Sequence, residues 1–395
     1  MSGVLSGYRV LDFGRYIAGP YCATLLAEFG ADVIRIEKVA GSEDRYTTPV
    51  NGDGGVGALF MQVNRNKRGL TLNPMKPEGR EIVAKLVETA DVVVANLPPQ
   101  GLLAMGLDLE SLRKIKKDII LTTVSAYGHG GPYSDRVGFD GIGQVMSGST
   151  YMSGSEDQPV KFAAPFVDFT TAMMSAIGTL VALMHRDRTG EGQMVEGALV
   201  RSALTIGNAA LIEQALTGIN RKPTLNRGQT AGPTDIIRTG DGWIIVQVVG
   251  RPLFERWADM VGRPELKDDP RFTSDLDRGD NGEILSDIAR EHAKGRKTVD
   301  VLADYAAASV PAGPMHSPQQ ALDDPHIQAM GFLQGVEYPD VPAPAPIASA
   351  PINLSGTPGG IRHRAPLLGE HTDQILGDLG YGADVIAALR EKRIV

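Results

Sequence analysis

The stretch Tyr8–Glu37 restricts the fold more than any other part of the chain. Tyr8–Phe13 (YRVLDF) reads as a short apolar strand and Gly14–Pro20 as a turn. Tyr21–Phe29 reads as a helix ending at Gly30, and Ala31–Glu37 (ADVIRIE) as a second strand. Strand, turn, helix and strand in that order form a βαβ unit, whose strands lie parallel and whose crossover is right-handed. Parallel sheets carry helices on their faces, so strands and helices should keep alternating. They do. Gly69–Leu72, Asp91–Leu97 (DVVVANL) and Ile119–Ser125 (IILTTVS) read as strands. Pro77–Thr89 is an amphipathic helix with Ile82, Val83, Leu86 and Val87 at helical spacing, and Leu109–Ile115 is a shorter helix. The fold class is α/β, and ligands of such sheets sit at the C-terminal strand ends. The turn Gly14-Arg-Tyr-Ile-Ala-Gly19-Pro20 is neither GxGxxG nor GxxxxGK[ST]. The fold is therefore Rossmann-like without the usual phosphate loop, although the helix start after Pro20 can face an anion.

Phe162–His185 is the second informative stretch. From Phe169 on it is almost all apolar or small, as a buried helix requires, and Asp168 is its only acidic residue. At a helix start a carboxylate meets unpaired N–H groups and the positive end of the helix dipole, so Asp168 is expected to stay ionised. Asp is also a good N-cap, and a plain cap is the competing reading. Phe166–Met184 is the most apolar run, and Thr, Ser and Gly dilute it below a membrane span. Gly190–Val195 turns into a strand, followed by a helical run from Ala198 to about Leu216. Asn220–Thr234 reads as a linker, Trp243–Val248 as a strand, and Leu253–Val261, Ile284–His292 and Val299–Ala307 as helices. Thr47–Asn66 and Asp268–Gly282 read as loops, Pro311–Pro314 as a return linker, and Leu368–Val395 as a tail ending in an exposed amphipathic helix.

At 395 residues one core is too few, and two domains are expected. The net charge is −8 with no basic run, which argues against nucleic acid. One cysteine, Cys22, excludes an internal disulfide and fits a reducing compartment. The N-terminus lacks the charged and apolar regions of a signal peptide, so a cytoplasmic protein without membrane partners is expected. Seven scattered histidines with no HxxxH or HExxH give no metal site, and GxSxG is missing. Cys22 reads as a small buried residue more readily than as a thiolate at a helix start. Asn64-Arg-Asn-Lys-Arg68 is a solvated turn or a phosphate site. His129, in the glycine loop Ala126–Tyr133, reads as solvated or backbone-bound. Asp140 and Asp168 flank the predicted sheet edge, and a carboxylate can act as a nucleophile toward an activated acyl group. Arg15, Arg45 and Arg65 are candidates to hold a second carboxylate, each read first as a surface or phosphate-side residue.

Beyond these patterns the sequence resembles the family III CoA-transferases (the CaiB/BaiF group, with formyl-CoA transferase, carnitine CoA-transferase and α-methylacyl-CoA racemase). The stretches that carry the resemblance run from Leu5-Ser-Gly-Tyr-Arg-Val-Leu-Asp-Phe13 and Gly30-Ala-Asp-Val-Ile-Arg-Ile-Glu-Lys38 through Asn64–Arg68 and Tyr127-Gly-His-Gly-Gly-Pro132. They continue with Gly190-Glu-Gly-Gln193 and Arg364-Ala-Pro-Leu-Leu-Gly-Glu-His-Thr372. The resemblance implies a Rossmann-like large domain built from both chain ends, a small inserted α+β domain, and an interlocked homodimer. The division it suggests is 1–220, a linker at 221–239, the small domain at 240–310, a return linker at 311–330, and 331–395. It implies CoA transfer from an acyl-CoA to a carboxylic acid, with coenzyme A as co-substrate and no metal. Asp168 falls on the family's nucleophile, which forms an acyl–aspartyl anhydride and then an aspartyl-CoA thioester. Ala18, Lys38, Arg68, Asn96 and Met105 match or adjoin CoA-contacting positions, and Ile17, Tyr127, Phe139 and Asp140 are matched to the substrate side. Ile17 stands where formyl-CoA transferase has glutamine, Ala104 where many members have arginine, and that enzyme's tetraglycine lid is missing. Phe139 replaces the histidine base of the racemases. An acyl-CoA racemase, with His129 as the nearest base, and a CoA-binding homologue without turnover remain as alternatives.

Overall fold

The computed structural model describes residues 3–50, 56–339 and 341–395. Its main sheet holds six parallel strands: β1 (Arg9–Asp12), β2 (Asp32–Glu37), β3 (Lys67–Thr71), β4 (Val92–Ala95), β5 (Ile120–Ser125) and β6 (Met194–Ala198). Their spatial order is 3-2-1-4-5-6. Val92, Val93, Val94 and Ala95 are all fully buried, as a central strand covered on both faces must be. The winding reverses between β1 and β4, and this is the switch point of a doubly wound sheet.

The helix Ala18–Glu28 joins β1 to β2 and is buried along its whole length. The helix Phe166–Thr189 packs against it and against β5 and β6. That helix is long and apolar enough to cross a membrane by length and composition alone. In this fold Val167, Asp168, Thr171, Ala172, Ser175, Ala176, Thr179, Ala182 and Leu183 form its buried face. A Cβ on Gly178 would meet Val195 Cγ1 at 2.7 Å, so only glycine permits this approach of helix to sheet.

The chain divides into two units. One takes Met1–Ser147, Phe162–Ile206 and Met330–Val395, and the other takes Gly148–Lys161 and Gly207–Ala329. In the second unit β7 (Thr234–Arg238), β8 (Trp243–Gln247) and β9 (Ala312–Pro314) form an antiparallel sheet. Helices Arg251–Met260, Gly282–Ala293 and Thr298–Ala307 close its core around Phe254, Trp257, Phe272 and Tyr305. In the first unit β10 (Leu333–Val336) pairs antiparallel with β11 (Ala345–Ala348).

Four expectations change. Pro311–Pro314, read as a linker, contributes the edge strand β9. Asp268–Gly282, read as a loop, contains the helix Asp275–Asp280, closed by a Ser274–Asp277 capping box. Thr47–Asn66, expected as a loop, also changes. Its residues 51–55 lie outside the described residues, but Ala58–Asn64 is a helix that buries Phe60, Met61 and Val63. The C-terminal tail is docked. Ile375, Leu376, Ile386, Leu389, Ile394 and Val395 join Leu11 and Ile34 in the main core. In each case the apolar repeat is too short to declare itself without its packing partner.

Candidate active site

At the switch point the loops leaving β1, β4 and β5 enclose a cavity of about 240 Å³. Its walls come from Arg15–Ala18, Asn96–Pro98, Val124–Ala126, Ser134, Arg136–Phe139, Asp168 and Leu199. The loop after β1 is held from beneath by a buried polar network. Asp12 Oδ1 accepts the Gly14 N–H at 2.8 Å. Lys67, itself buried, donates to Asp12 Oδ2 (2.7 Å), to the Pro20 and Val63 carbonyls (2.7 and 2.9 Å) and to Asn64 Oδ1 (2.9 Å). Arg35 bonds Asp44 at 2.8 Å, and Asp44 Oδ2 accepts the Tyr16 N–H at 3.2 Å. Asn96 accepts the Arg15 N–H at 2.5 Å and donates to the Arg15 carbonyl at 2.7 Å.

Asp168 is the third residue of its helix and is buried. It is not a cap. The capping group comes from Asp140, whose Oδ2 accepts the Val167 and Asp168 N–H groups at 2.7 and 3.0 Å. Gln144 donates to Asp140 and accepts the Phe162 N–H at 2.8 Å, which fixes the second carboxylate. Gly143 allows this approach, since a Cβ there would meet Val167 Cγ1 at 2.7 Å. Among the described residues no hydrogen-bond donor meets the Asp168 carboxylate. Burial first, and the charge of Asp140 second, push its pKa up to about 7. The expectation of a fully ionised Asp168 is corrected accordingly. Asp140 takes the first-turn N–H groups, and desolvation beside a second carboxylate outweighs the helix dipole.

Ile17, Ala18, Asn96 and Phe139 line the cavity together with Asp168. Asp140 lies behind it as the helix cap. Tyr127 packs with Ala18, Val124 and Val167 and meets Tyr133 edge-on at 5.7 Å, away from the lining. Met105 ends the helix Pro99–Met105 and packs on the main core. Lys38 is exposed and paired with Glu43. Arg68 grips Asp32 with two bonds of 3.0 and 2.7 Å and borders a different groove with Arg362 and Arg364. The structure thus does not gather Tyr127, Met105, Lys38 and Arg68 at this cavity.

Two of the three cations in the basic cluster at 64–68, Arg65 and Lys67, are buried in ion pairs, and the third, Arg68, borders a groove. Lys67 is held by Asp12, and Arg65 is paired with Glu28 at 2.6 Å in full burial. Arg45 is paired with buried Glu37 over the Phe60 ring, and Arg15 lines the cavity, so neither is a surface residue. Cys22 is buried, which pushes its thiol up to about 12 and removes it as a nucleophile. The His129 N–H bonds Glu196 at 2.8 Å, and the ring lies outside the lining. Sequence reasoning missed Tyr16 and Arg136. The position of Arg136 just before Phe139 was a usable signal, whereas nothing local marked Tyr16. Among the described residues no group of three or more His, Cys, Asp or Glu could hold a metal.

A doubly wound sheet with a carboxylate presented into its switch-point cavity defines a ligand-binding α/β class. Residues 5–372 match the sequence model of CoA-transferase family III. The succinyl-CoA–D-citramalate CoA-transferase of Chloroflexus aurantiacus is 33% identical over 394 residues, covering 99% of this chain and 98% of its own. The succinate–glutarate CoA-transferase of Agrobacterium fabrum is 34% identical, covering 95% of each. The crystal structure of a CaiB/BaiF family protein from Brucella suis superposes with a TM-score of 0.83 at 32% identity, covering 96% of this chain and all of that one. The chain belongs to CoA-transferase family III, and it is a CoA-transferase.

Proposed function

We propose that the protein moves CoA from a donor acyl-CoA to an acceptor carboxylic acid, with Asp168 as the nucleophile and short dicarboxylates as the acids. The observation that carries this reading is the Asp168 carboxylate, which lines the switch-point cavity with no hydrogen bond from the described residues to restrain it. In this reading an Asp168 oxygen attacks the donor thioester carbon and expels the CoA thiolate, leaving an acyl–aspartyl anhydride. The thiolate attacks the aspartyl carbon, releases the donor carboxylate and leaves an aspartyl-CoA thioester. The acceptor carboxylate displaces the thiolate to form a second anhydride. Attack of the thiolate on the acceptor carbon gives the new acyl-CoA and restores Asp168. In the helix that opens at Ala18, Pro20 has no N–H and the Tyr21 N–H is taken by the Ile17 carbonyl, which leaves the Ala18 and Gly19 N–H groups as the donors for developing oxyanions.

Two observations support the dicarboxylate class. Arg136, whose guanidinium lies over the Tyr133 ring, borders the same cavity and can meet a distal carboxylate there, whereas Arg15 Nη1 is held by the Phe13, Gly14 and Ile36 carbonyls. The relatives named above act on succinyl-CoA or succinate. The racemase alternative needs a base facing the substrate, and no histidine is among the cavity residues, Phe139 standing there instead. A homodimer is part of this reading. Met174, Ile177, Val181 and Met184 form an exposed apolar stripe on one face of the helix Phe166–Thr189, which a second copy would cover.

The test is a hydroxylamine quench after incubation with succinyl-CoA and, separately, butyryl-CoA, followed by digestion. A hydroxamate on Asp168, formed faster from succinyl-CoA, is expected. An unmodified Asp168 with CoA still bound would overturn the reading. Asp140→Asn keeps an oxygen for the two N–H groups but removes the charge that raises Asp168. The acid limb of kcat/KM should therefore move to lower pH, as a pH profile of the variant against the parent would measure.

A further inference from the structure

We propose that Tyr16 sorts the acyl groups that reach Asp168 and shields the Asp168-linked intermediates from water, an inference that rests on Asp168 being the nucleophile. Tyr16 holds a backbone φ of 59°, a left-handed conformation that an aromatic residue rarely adopts. Strain of this kind persists only where neighbours over-determine it. Here they do. The Tyr16 N–H is held by buried Asp44, which Arg35 pins from behind, and Asn96 bonds both the N–H and the carbonyl of the preceding residue, Arg15. The conformation aims the side chain at the cavity, where its ring meets Phe139 edge-on with centroids 5.2 Å apart and planes at 85°.

Two rings from separate elements thus wall the space that holds Asp168. Phe139 is 61% exposed, so water reaches the outer side of this pair. A glycine at position 16 would relieve the backbone, yet the chain carries a large ring there. An apolar wall beside the nucleophile matters because the intermediates are hydrolysable. Water attacking the aspartyl-CoA carbon forms a carbon–oxygen bond and breaks the carbon–sulfur bond. That step gives the Asp168 carboxylate, free CoA thiol and a proton, and no acyl transfer.

The experiment compares Tyr16→Ala, Tyr16→Gly and Tyr16→Phe in the full-length protein. One readout is the share of CoA released as free thiol rather than as new acyl-CoA. The other is the kcat/KM ratio of a branched six-carbon acyl-CoA to succinyl-CoA. Both ratios should rise about tenfold in the Ala and Gly variants and stay at the parent level in Phe. Because they are ratios, a partial loss of folded protein does not move them, and the Gly variant needs no strained backbone. Unchanged ratios in Ala and Gly, with the Asp168 hydroxamate still formed, would overturn the role of Tyr16 alone. Absence of the hydroxamate in the parent would instead overturn the nucleophile and the shielding with it, leaving the acyl-size ratio to decide the sorting.

Discussion

Asp168→Asn is expected to lower kcat for CoA transfer by about 10⁴-fold or more, the scale of losing a covalent nucleophile. The amide is isosteric and keeps the helix start, so CoA affinity measured by calorimetry should stay at the parent level. Retained transfer would remove Asp168 from the chemistry, and Asp168→Ala guards against chemical reversion of the amide. The raised pKa adds a pH signature. Asp168 attacks only when ionised, so kcat/KM of the parent should fall about tenfold per pH unit below its pKa near 7. Stability should move the other way. The folded protein binds this proton more tightly than the unfolded chain. The favourable contribution is full below the unfolded carboxylate value and is lost as pH rises through about 7. At pH 8 the parent carries a buried charge that the Asp168→Asn variant lacks. The variant should then be more stable by on the order of 2–4 kcal/mol, a gap that closes on acidification. Urea titrations at two pH values measure it, and a gap that widens in acid would contradict the assignment.

Lys67→Met should be the most damaging change away from the nucleophile. It strips Asp12, fully buried, of its 2.7 Å partner and leaves Arg35 at 3.6 Å. Removing one member of a buried pair costs about 3–5 kcal/mol, and here Asp12 would stay in the interior with only the longer pair to Arg35, which it shares with Asp44. The same ammonium ties the Pro20 carbonyl to β1, so the surviving folded protein should also lose turnover through the loop at Arg15–Ala18. The double variant Asp12→Leu/Lys67→Met tests the cause. It should be less destabilised than Lys67→Met alone, since no charge is then left unpaired. Simple additivity of the two single changes in urea would show that packing, not charge, carries the effect.

Much of this protein was legible locally. The runs at Tyr8–Phe13, Ala31–Glu37, Asp91–Leu97 and Ile119–Ser125 became β1, β2, β4 and β5 because consecutive apolar residues suit a sheet covered on both faces. Pro77–Glu88 followed from helical spacing. The presence of Asp168 at a helix start was also readable, since one acidic residue in an apolar run stands out.

Its surroundings were not readable. Asp140 lies 28 residues away in sequence and reaches the same helix start only through the packing at Gly143. A carboxylate at a helix start looks ionised until the second carboxylate and the loss of water are known. Arg65 and Lys67 have the same letters in a solvated turn and in a buried network, and only burial against Glu28 and Asp12 separates the two. Tyr16 gives no local sign of its left-handed backbone, which Asp44 and Asn96 impose from distant elements. Short-range periodicity, set by bond geometry and apolar spacing, determined the sheet and its helices. Desolvation and long-range partners, which exist only once the chain is folded, decided the charge state of Asp168 and the walls around it.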